Sequence, residues 1–321
     1  QLTGNREATR AEFLMGTYME IKAYGRRADA AVNAVIDRLQ EIEARMAHNQ
    51  ATSEIAAVNQ KAGIKAVPVS QDTFLVVAKA LDFAQITGGK FDPTIQPIVD
   101  LWQIGSPAAR VPAAAEIASR LPAVDYTAIE LDPARNTIWL TKPGMGLDLG
   151  AIAKGYAADE AAAILRQHGI KSALINLGGN IYAVGSNPSG KPWRIGIQDP
   201  LDERNKYIAV LEVIDETLVT SGAYERFLEV EGQVYHHILD PTTGYPAVTD
   251  LLSVTIMTTK SIDADALSTS VFILGREAGW ELINRLPGIE AVIIDTDQRV
   301  WATDGVRNRL TVVDAAYTLV P

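Results

Sequence analysis

Residues 146–180, GLDLGAIAKGYAADEAAAILRQHGIKSALINLGGN, restrict the fold more than any other stretch of this chain. The glycine-rich start is a turn, and the Ala-rich run after it is long enough for about four helical turns. Gly169 breaks that run, and a short apolar strand follows that ends in a Gly-Gly-Asn turn at 178–180. A glycine turn followed by helix and strand commonly leaves the helix N-terminus facing an open cleft, where backbone N–H groups can hold phosphate. Lys154 is the odd residue. A cation in the first helical turn opposes the macrodipole at a cost of roughly a few tenths of a kcal/mol, which a bound anion would offset. The alternative is a solvated Lys154 relieved by Asp159 and Glu160.

Around this segment the hydrophobic pattern changes character along the chain. Residues 12–24 (EFLMGTYMEIKAY) alternate apolar and polar side chains and predict one edge-type strand. A helix over 29–46 would carry Val32, Val35, Ile36, Leu39 and Ile42 on one face. Residues 48–52 form a polar loop. Ser53 then caps a short helix with Ile55 and Val58, while Ser70 and Asp72 cap a helix over 72–87 that stops at Gly88 and Gly89. In 90–105, KFDPTIQPIVDLWQIG, two prolines forbid a regular element throughout and predict a shaped loop. The Ala/Pro-rich residues 106–122, helical from about residue 113, read as a peripheral insertion. Short strands at 129–131 and 137–140 precede the glycine turn.

Beyond residue 180 strands dominate, at 181–184, 193–197, 207–214, 217–220, 226–230 and 234–239. A strand at 252–258 leads into helices over 263–274 and 277–285, and strands at 290–295, 300–302 and 310–313 close the chain. Helices first, a strand run next and mixed elements last indicate an α+β fold. With 321 residues and no obvious linker, the chain makes one domain over 1–321, or two intimately packed subdomains.

Composition narrows the chemistry. The net charge of −10 argues against nucleic acid as a partner and against an anionic membrane surface. A polyanionic ligand would have to be met locally, by a few Lys or Arg, by helix N-termini or by a divalent cation. The absence of cysteine excludes disulfides, zinc–thiolate sites, thiol nucleophiles and iron–sulfur clusters, and it fits an oxidising compartment. There is no apolar run of about 18 residues to span a membrane. Numbering begins at Gln1, so a leader removed before this point is compatible with the sequence.

Three short constellations carry chemistry. In SIDADALSTSVFILG, Asp263 as helix cap would place Asp265, Ser268 and Thr269 at i, i+3 and i+4 on one face. A carboxylate with two hydroxyls is a hard-oxygen set for Mg²⁺ or Ca²⁺, against plain capping with solvated hydroxyls. In YHHILDPTTGYPA, adjacent His236 and His237 on a strand point to opposite faces, so one of them serves a site as general base or is a satisfied structural histidine. Asp240 to Gly244 is a turn sequence. TSGAYERF, at 220–227, is by itself only a small-residue β-turn. Walker A, GxGxxG before a helix and GxSxG patterns are missing.

Taken in order, MGT at 15–17, GKFDPTIQPIVDLW, LDLGAIAKGYAAD, NLGGNI, WRIGIQDP, TSGAYERF, HHILDPTTGYP and DADALST resemble the ApbE family of FAD:protein FMN transferases. The match extends from about residue 13 to residue 274. It implies a T-fold-like α+β arrangement, a mixed sheet and helices around a central FAD cleft, with Mg²⁺ on the pyrophosphate. The family's metal ligands fall on the Ala151 carbonyl, the Asp265 carboxylate and the Thr269 hydroxyl, with Ser268 beside them. FAD-contacting positions fall on Met15, Asn49, Asp92, Lys154, Gly178, Gly179, Ile197, Gln198, Ser221, Gly222, His237, Asp240 and Thr243. His237 rather than His236 matches the histidine before the DPxTG turn.

The implied reaction is phosphoryl transfer: a Thr or Ser hydroxyl of an acceptor flavoprotein attacks the FMN-side phosphorus of FAD, and AMP leaves. His237 is the expected base, with Asp240 as an alternative base or as orienter of the imidazole, and Asp265 is expected to be indispensable through the metal. One position departs from the family. Many relatives carry an aromatic where Asn49 stands, which would stack on FAD; Asn49 leaves room for water and so for hydrolysis of FAD to FMN and AMP. The alternatives to the transferase are therefore a Mg²⁺-dependent FAD pyrophosphatase and a non-catalytic FAD-binding protein. The resemblance also implies a periplasmic or otherwise extracytoplasmic location, with or without a lipid anchor, and an acceptor in an extracytoplasmic subunit of a membrane redox complex.

Overall fold

The computed structural model describes residues 6–202 and 206–321. β1 (Glu7–Leu14) and β2 (Thr17–Tyr24) form an antiparallel hairpin with Phe13 opposite Tyr18. The one strand expected over 12–24 is thus two. The chain reverses at Met15 and Gly16, both with left-handed φ, 51° and 74°. Only the glycine advertises such a turn in sequence; Met15 is held there by its N–H, which donates to Glu43 Oε1 at 2.8 Å. α1 (Ala28–Met46) buries the predicted apolar face. α2 (Glu54–Gln60) starts where Ser53 accepts the Ala56 N–H. After the short β3 (Val67–Pro68), α3 (Gln71–Ile86) starts where Ser70 accepts the Thr73 N–H.

The proline segment is not a loop throughout. A 3-10 turn at Pro93–Ile95 runs into α4 (Gln96–Trp102), and both prolines occupy first-turn positions, where a missing N–H removes no helical bond. α5 (Ala114–Arg120) follows, and its Ile117 joins Ile98, Leu101, Trp102 and Leu239 in a satellite core. β4 (Ile129–Asp132) and β5 (Thr137–Leu140) form a hairpin extended by β3.

α6 (Ala153–Gln167), β6 (Ser172–Leu177) and β7 (Asn180–Gly185) give the helix, strand and glycine turn expected over 146–180. The strand run comprises β8 (Trp193–Gln198), β9 (Tyr207–Val213), β10 (Thr217–Gly222), β11 (Phe227–Val230), β12 (Gln233–His236) and β13 (Leu251–Thr258). The strand expected over 234–239 ends early, at His236, leaving His237 in the connection. α7 (Ser261–Leu274) and α8 (Arg276–Arg285) come next. β14 (Glu290–Asp295), β15 (Arg299–Ala302), α9 (Asp304–Arg307), β16 (Leu310–Val312) and β17 (Thr318–Leu319) complete the chain.

Nine strands build one sheet in the order β1-β2-β6-β7-β10-β13-β14-β15-β17. All its pairs are antiparallel except β15 with β17, which makes the sheet mixed. The main core lies between this sheet and α1, α6 and α7, from Leu39 and Ile42 through Ala157 and Ala161 to Leu267 and Phe272. A second core joins the sheet to the three-stranded sheet β16-β9-β8, through Ile195, Ile208, Leu211, Leu218, Met257 and Ile294. The fold is α+β.

α6 and α7 cross at Gly155. A Cβ there would lie 2.2 Å from the Ser261 carbonyl oxygen and 2.7 Å from Asp265 Cβ, so only glycine permits the approach. One turn along α6, the two carboxylate oxygens of Asp159 accept the N–H groups of Ser261 at 2.7 Å and Ile262 at 2.9 Å. α7 is therefore capped from another helix and not by Asp263, which sits inside its first turn 3.0 Å from Lys79 Nζ. Interiors are close-packed and yield little to an added methyl group. Gly155→Ala is expected to lower stability by about 1–3 kcal/mol, read as a fall in the urea midpoint at unchanged slope. An unchanged midpoint would mean that the crossing is looser than described.

Candidate functional site

The α6–α7 crossing opens onto a cleft of about 2530 Å³. Its floor includes Ala151, Lys154, Asp265 and Thr269, and its walls include Met15, Asn49, Asp92, Gly178, Gly179, Gln198, Ser221 and His237. The glycine turn that begins the most restrictive stretch of sequence thus meets the start of α7. At their junction the Gly155 N–H donates to Asp265 Oδ2 at 2.8 Å. Asp265 is 5% exposed. Burial pushes its carboxyl up to about 6, against the opposing pull of the Lys154 ammonium and the Gly155 N–H.

Lys154 is half-buried and lines the cleft. Neither neighbour proposed to relieve it does so: Asp159 caps α7, and Glu160 pairs with Arg38 at 2.9 Å. Among the described residues Lys154 makes no ion pair. Its charge faces the cleft beside two carboxyls that burial raises, Asp265 and Glu225.

Several expected contacts lie elsewhere. Ser268 is fully buried and absent from the cleft; its hydroxyl donates to the Asp265 carbonyl at 3.0 Å and meets Ser221 Oγ at 2.7 Å, so it braces α7 against β10. Ile197 is turned into the second core, whereas its neighbour Gln198 lines the cleft. Gly222 is buried, with the Tyr224 ring 2.4 Å from where its Cβ would stand. Gly178 has φ of 62°, and a Cβ there would lie 2.2 Å from Thr17 Oγ1, so the glycine lets the β6–β7 turn approach the β1–β2 hairpin. Asp92 lines the cleft, but its carboxylate caps the 3-10 turn, accepting the Thr94 N–H at 2.8 Å and the Thr94 hydroxyl at 2.6 Å.

Asp240 and Thr243 do not line the cleft. Burial alone would raise the Asp240 carboxyl, but hydrogen bonds from Thr242 and the Lys90 ammonium at 3.0 Å hold it below the usual range. Thr243 is exposed, and its hydroxyl accepts the Tyr245 N–H. The Asp240 turn is structural: the Trp102 indole N–H donates to the Gly244 carbonyl at 2.8 Å. Asp240 is therefore placed neither as a base nor as a partner of His237.

The two histidines diverge, His236 at the end of β12 and His237 in the connection after it. His236 packs edge-on against Phe272, its Nε2 lies 2.9 Å from the Ala247 carbonyl, and its Nδ1 accepts the Ile238 N–H. It is the satisfied structural member. His237 lines the cleft, with Nδ1 3.2 Å from the Arg226 carbonyl and Nε2 3.9 Å from Glu225 Oε2. Burial, with Arg226 and Lys154 nearby, pushes His237 down to about 3. Burial raises Glu225 to about 7 against the pull of the same two cations. Each side chain keeps about a third of its surface open to the cleft, 28% and 30%, so water there tempers both shifts.

Glu225 and His48 are among the cleft residues that the sequence pattern does not signal. His48 lies 3.7 Å from both Asp100 and Asp148, and these carboxylates raise its pKa although burial lowers it. Glu225 sits within TSGAYERF, where nothing in the residue pattern marks it as buried beside Lys154. Neither group is signalled by spacing, because each depends on contacts between distant segments.

The donors around Asp265 fit a hard divalent cation. A carboxylate buried with no ion-pair partner among the described residues, a hydroxyl at Thr269 and a carbonyl at Ala151 all border one cleft. Among the described residues no three His, Cys, Asp or Glu side chains cluster as a metal set, which is unlike a zinc centre.

Residues 15–293 match the model of the ApbE family. The chain is 40% identical to an FAD:protein FMN transferase of Treponema pallidum, over 98% of this chain and 91% of the relative. The ApbE protein of Thermotoga maritima superposes with a TM-score of 0.86 at 29% identity, covering 94% of this chain and 98% of that structure. The flavin transferase ApbE of Vibrio cholerae gives 0.84 at 29% identity, covering 95% and 100%.

The raised carboxyl at Asp265 has a consequence for stability. Because its folded value of about 6 exceeds the unfolded 3.8, its contribution is intact below about 3.8 and is lost as pH rises through 6. At about pH 7.5 without divalent cation, Asp265→Asn is expected to be more stable than wild type by about 1–3 kcal/mol. Millimolar MgCl₂ is expected to raise the wild-type melting temperature and leave that of the variant unmoved. Equal responses to MgCl₂ would rule out Asp265 as the cation's anchor.

Proposed function

The chain belongs to the ApbE family, and on that premise we propose that it moves the FMN half of FAD onto a Thr or Ser hydroxyl of an acceptor flavoprotein, releasing AMP. One observation carries this reading: a buried carboxylate and a lysine, neither with an ion-pair partner among the described residues, line one open cleft where α6 meets α7. That floor suits a pyrophosphate bridge together with a divalent cation. It also explains how a protein of net charge −10 can hold a polyanion.

Phosphoryl transfer needs charge neutralisation and in-line positioning more than covalent help from the protein. Lys154 offers its ammonium to the pyrophosphate oxygens, and the Gly178–Gly179 turn borders the same cleft. Asp265, Thr269 and the Ala151 carbonyl would hold Mg²⁺, which when bound supplies further neutralisation of the bridge. His237 remains neutral near pH 7, with its Nδ1 engaged on the Arg226 carbonyl, so its Nε2 is free to accept the proton of an incoming hydroxyl. The acceptor on this reading is an extracytoplasmic domain of a membrane redox complex, and the enzyme works on that side of the membrane, lipid-anchored or not.

Asn49 favours a second reading. It is an exposed polar side chain on the cleft wall, where the expected family aromatic would cover the flavin. Water reaching the same phosphorus would yield FMN and AMP.

Incubating the full chain with FAD, Mg²⁺ and a candidate acceptor fragment separates these readings by mass spectrometry. Gain of one FMN on a Thr or Ser supports transfer; free AMP with no adduct supports hydrolysis. Neither product would leave only FAD binding. Asp265→Ala is expected to abolish turnover. His237→Ala is expected to slow it by about 10²-fold or more with FAD still bound. Unchanged turnover in the Asp265 variant would remove the metal assignment.

A further inference from the structure

The second residue of the proton-accepting apparatus lies within TSGAYERF but is given no role there. Glu225 projects into the cleft from the connection between β10 and β11, and its Oε2 stands 3.9 Å from His237 Nε2. The tautomer of His237 follows from its other nitrogen. Nδ1 lies 3.2 Å from the Arg226 carbonyl, which can only accept, so Nδ1 carries the hydrogen and Nε2 presents a lone pair. A lone pair and a carboxylate then face one another at a separation too long for a direct hydrogen bond. Two acceptors held in this way lack a proton donor between them.

We propose that Glu225 and His237 together receive the proton of the attacking hydroxyl, with Glu225 acting through His237 to hold and stabilise the imidazolium that forms. This rests on the transferase reading. In the step, the acceptor O–H bond breaks and its proton goes to His237 Nε2. The freed oxygen pair forms the new O–P bond, and the old P–O bond breaks with its electrons leaving on AMP. Glu225 is a positioning residue in this account, because it touches the imidazole and not the reacting phosphorus.

The pair needs a carboxylate. His237 alone is a poor proton holder, since burial, Arg226 and Lys154 all depress it to about 3. An ionised Glu225 beside Nε2 counters those cations. The charged and titratable groups facing the pair are Lys154 from α6, Asp265 from α7, Arg226 and Tyr224 from the same connection, and His236 from β12. Burial and Asp265 raise Glu225, the two cations lower it, and it settles near 7. The carboxylate form is therefore gained as pH rises through neutrality.

The test is single-turnover transfer from FAD, with Mg²⁺ and the acceptor fragment of the assay above, followed from about pH 5.5 to about pH 8.5. For wild type the rate is expected to rise through an apparent pKa near 7. Glu225→Gln is expected to bind FAD as wild type does, by flavin fluorescence titration, while transferring roughly 10²-fold more slowly and without that rising limb. Glu225→Asp should recover part of the rate and keep the limb. The double variant E225Q/H237A should be no slower than the slower single variant, as for residues that act as one unit. A Glu225→Gln enzyme with wild-type rate and pH profile overturns the proposal, as does a loss confined to FAD affinity. If wild type releases AMP without flavinylating the acceptor, the transferase reading fails instead, and the pair is tested on AMP release with water as the proton donor.

Discussion

The close approach of α6 to α7 is the constraint on which the site depends. Gly155 allows the two helices to touch backbone to side chain, and two carboxylates from opposite partners fasten the junction. Asp159 of α6 caps α7, and Asp265 of α7 accepts an N–H from α6. The arrangement is reciprocal, so neither helix can shift without losing bonds at the other's start. It also fixes where charge must be met. Asp265 is buried where the first turn of α6, with Lys154, and α7, with Thr269, border the same cleft.

The electrostatics follow from that placement. Two carboxyls lining the cleft, Asp265 and Glu225, are raised by burial, and the cation facing them, Lys154, has no ion-pair partner among the described residues. A protein that only needed stability would pair these groups or replace them with apolar side chains, since unpaired buried charge is costly. Their persistence together in one open cleft is what separates a binding site from a structural network such as Arg38 with Asp72, Glu160 and Tyr156, where every group has its partner.

Much of the fold was legible because its signals are local. Ser53 and Ser70 cap the helices that their neighbours predict, the apolar face of α1 is the buried one, and the strand run after residue 180 follows its alternation. The errors came where local signals were silent or misleading. Met15 adopts a left-handed φ that only a glycine would announce, so a hairpin read as one strand. Pro93 and Pro97 suggested a loop but sit where helices tolerate them. The site divided in the same way. Asp265, Thr269, Lys154 and His237 were recognisable from ordered motifs, and the structure brings them to one cleft. Ser268, Ile197, Gly222, Asp240 and Thr243 belong to the same motifs but do not line it. Glu225 escaped notice because burial beside Lys154 is a property of the assembled fold.

Arg226 connects the mouth of the cleft to its chemistry. Its guanidinium donates to the Gly16 carbonyl at the β1–β2 tip, a long 3.3 Å contact, while its side chain runs past Gly105. The β10–β11 connection and the β1–β2 tip are thus joined by this polar contact. The same guanidinium depresses the proton affinity of both His237 and Glu225. By linkage, a substitution or ligand that moved Arg226 from this position would raise the proton affinity of both groups together.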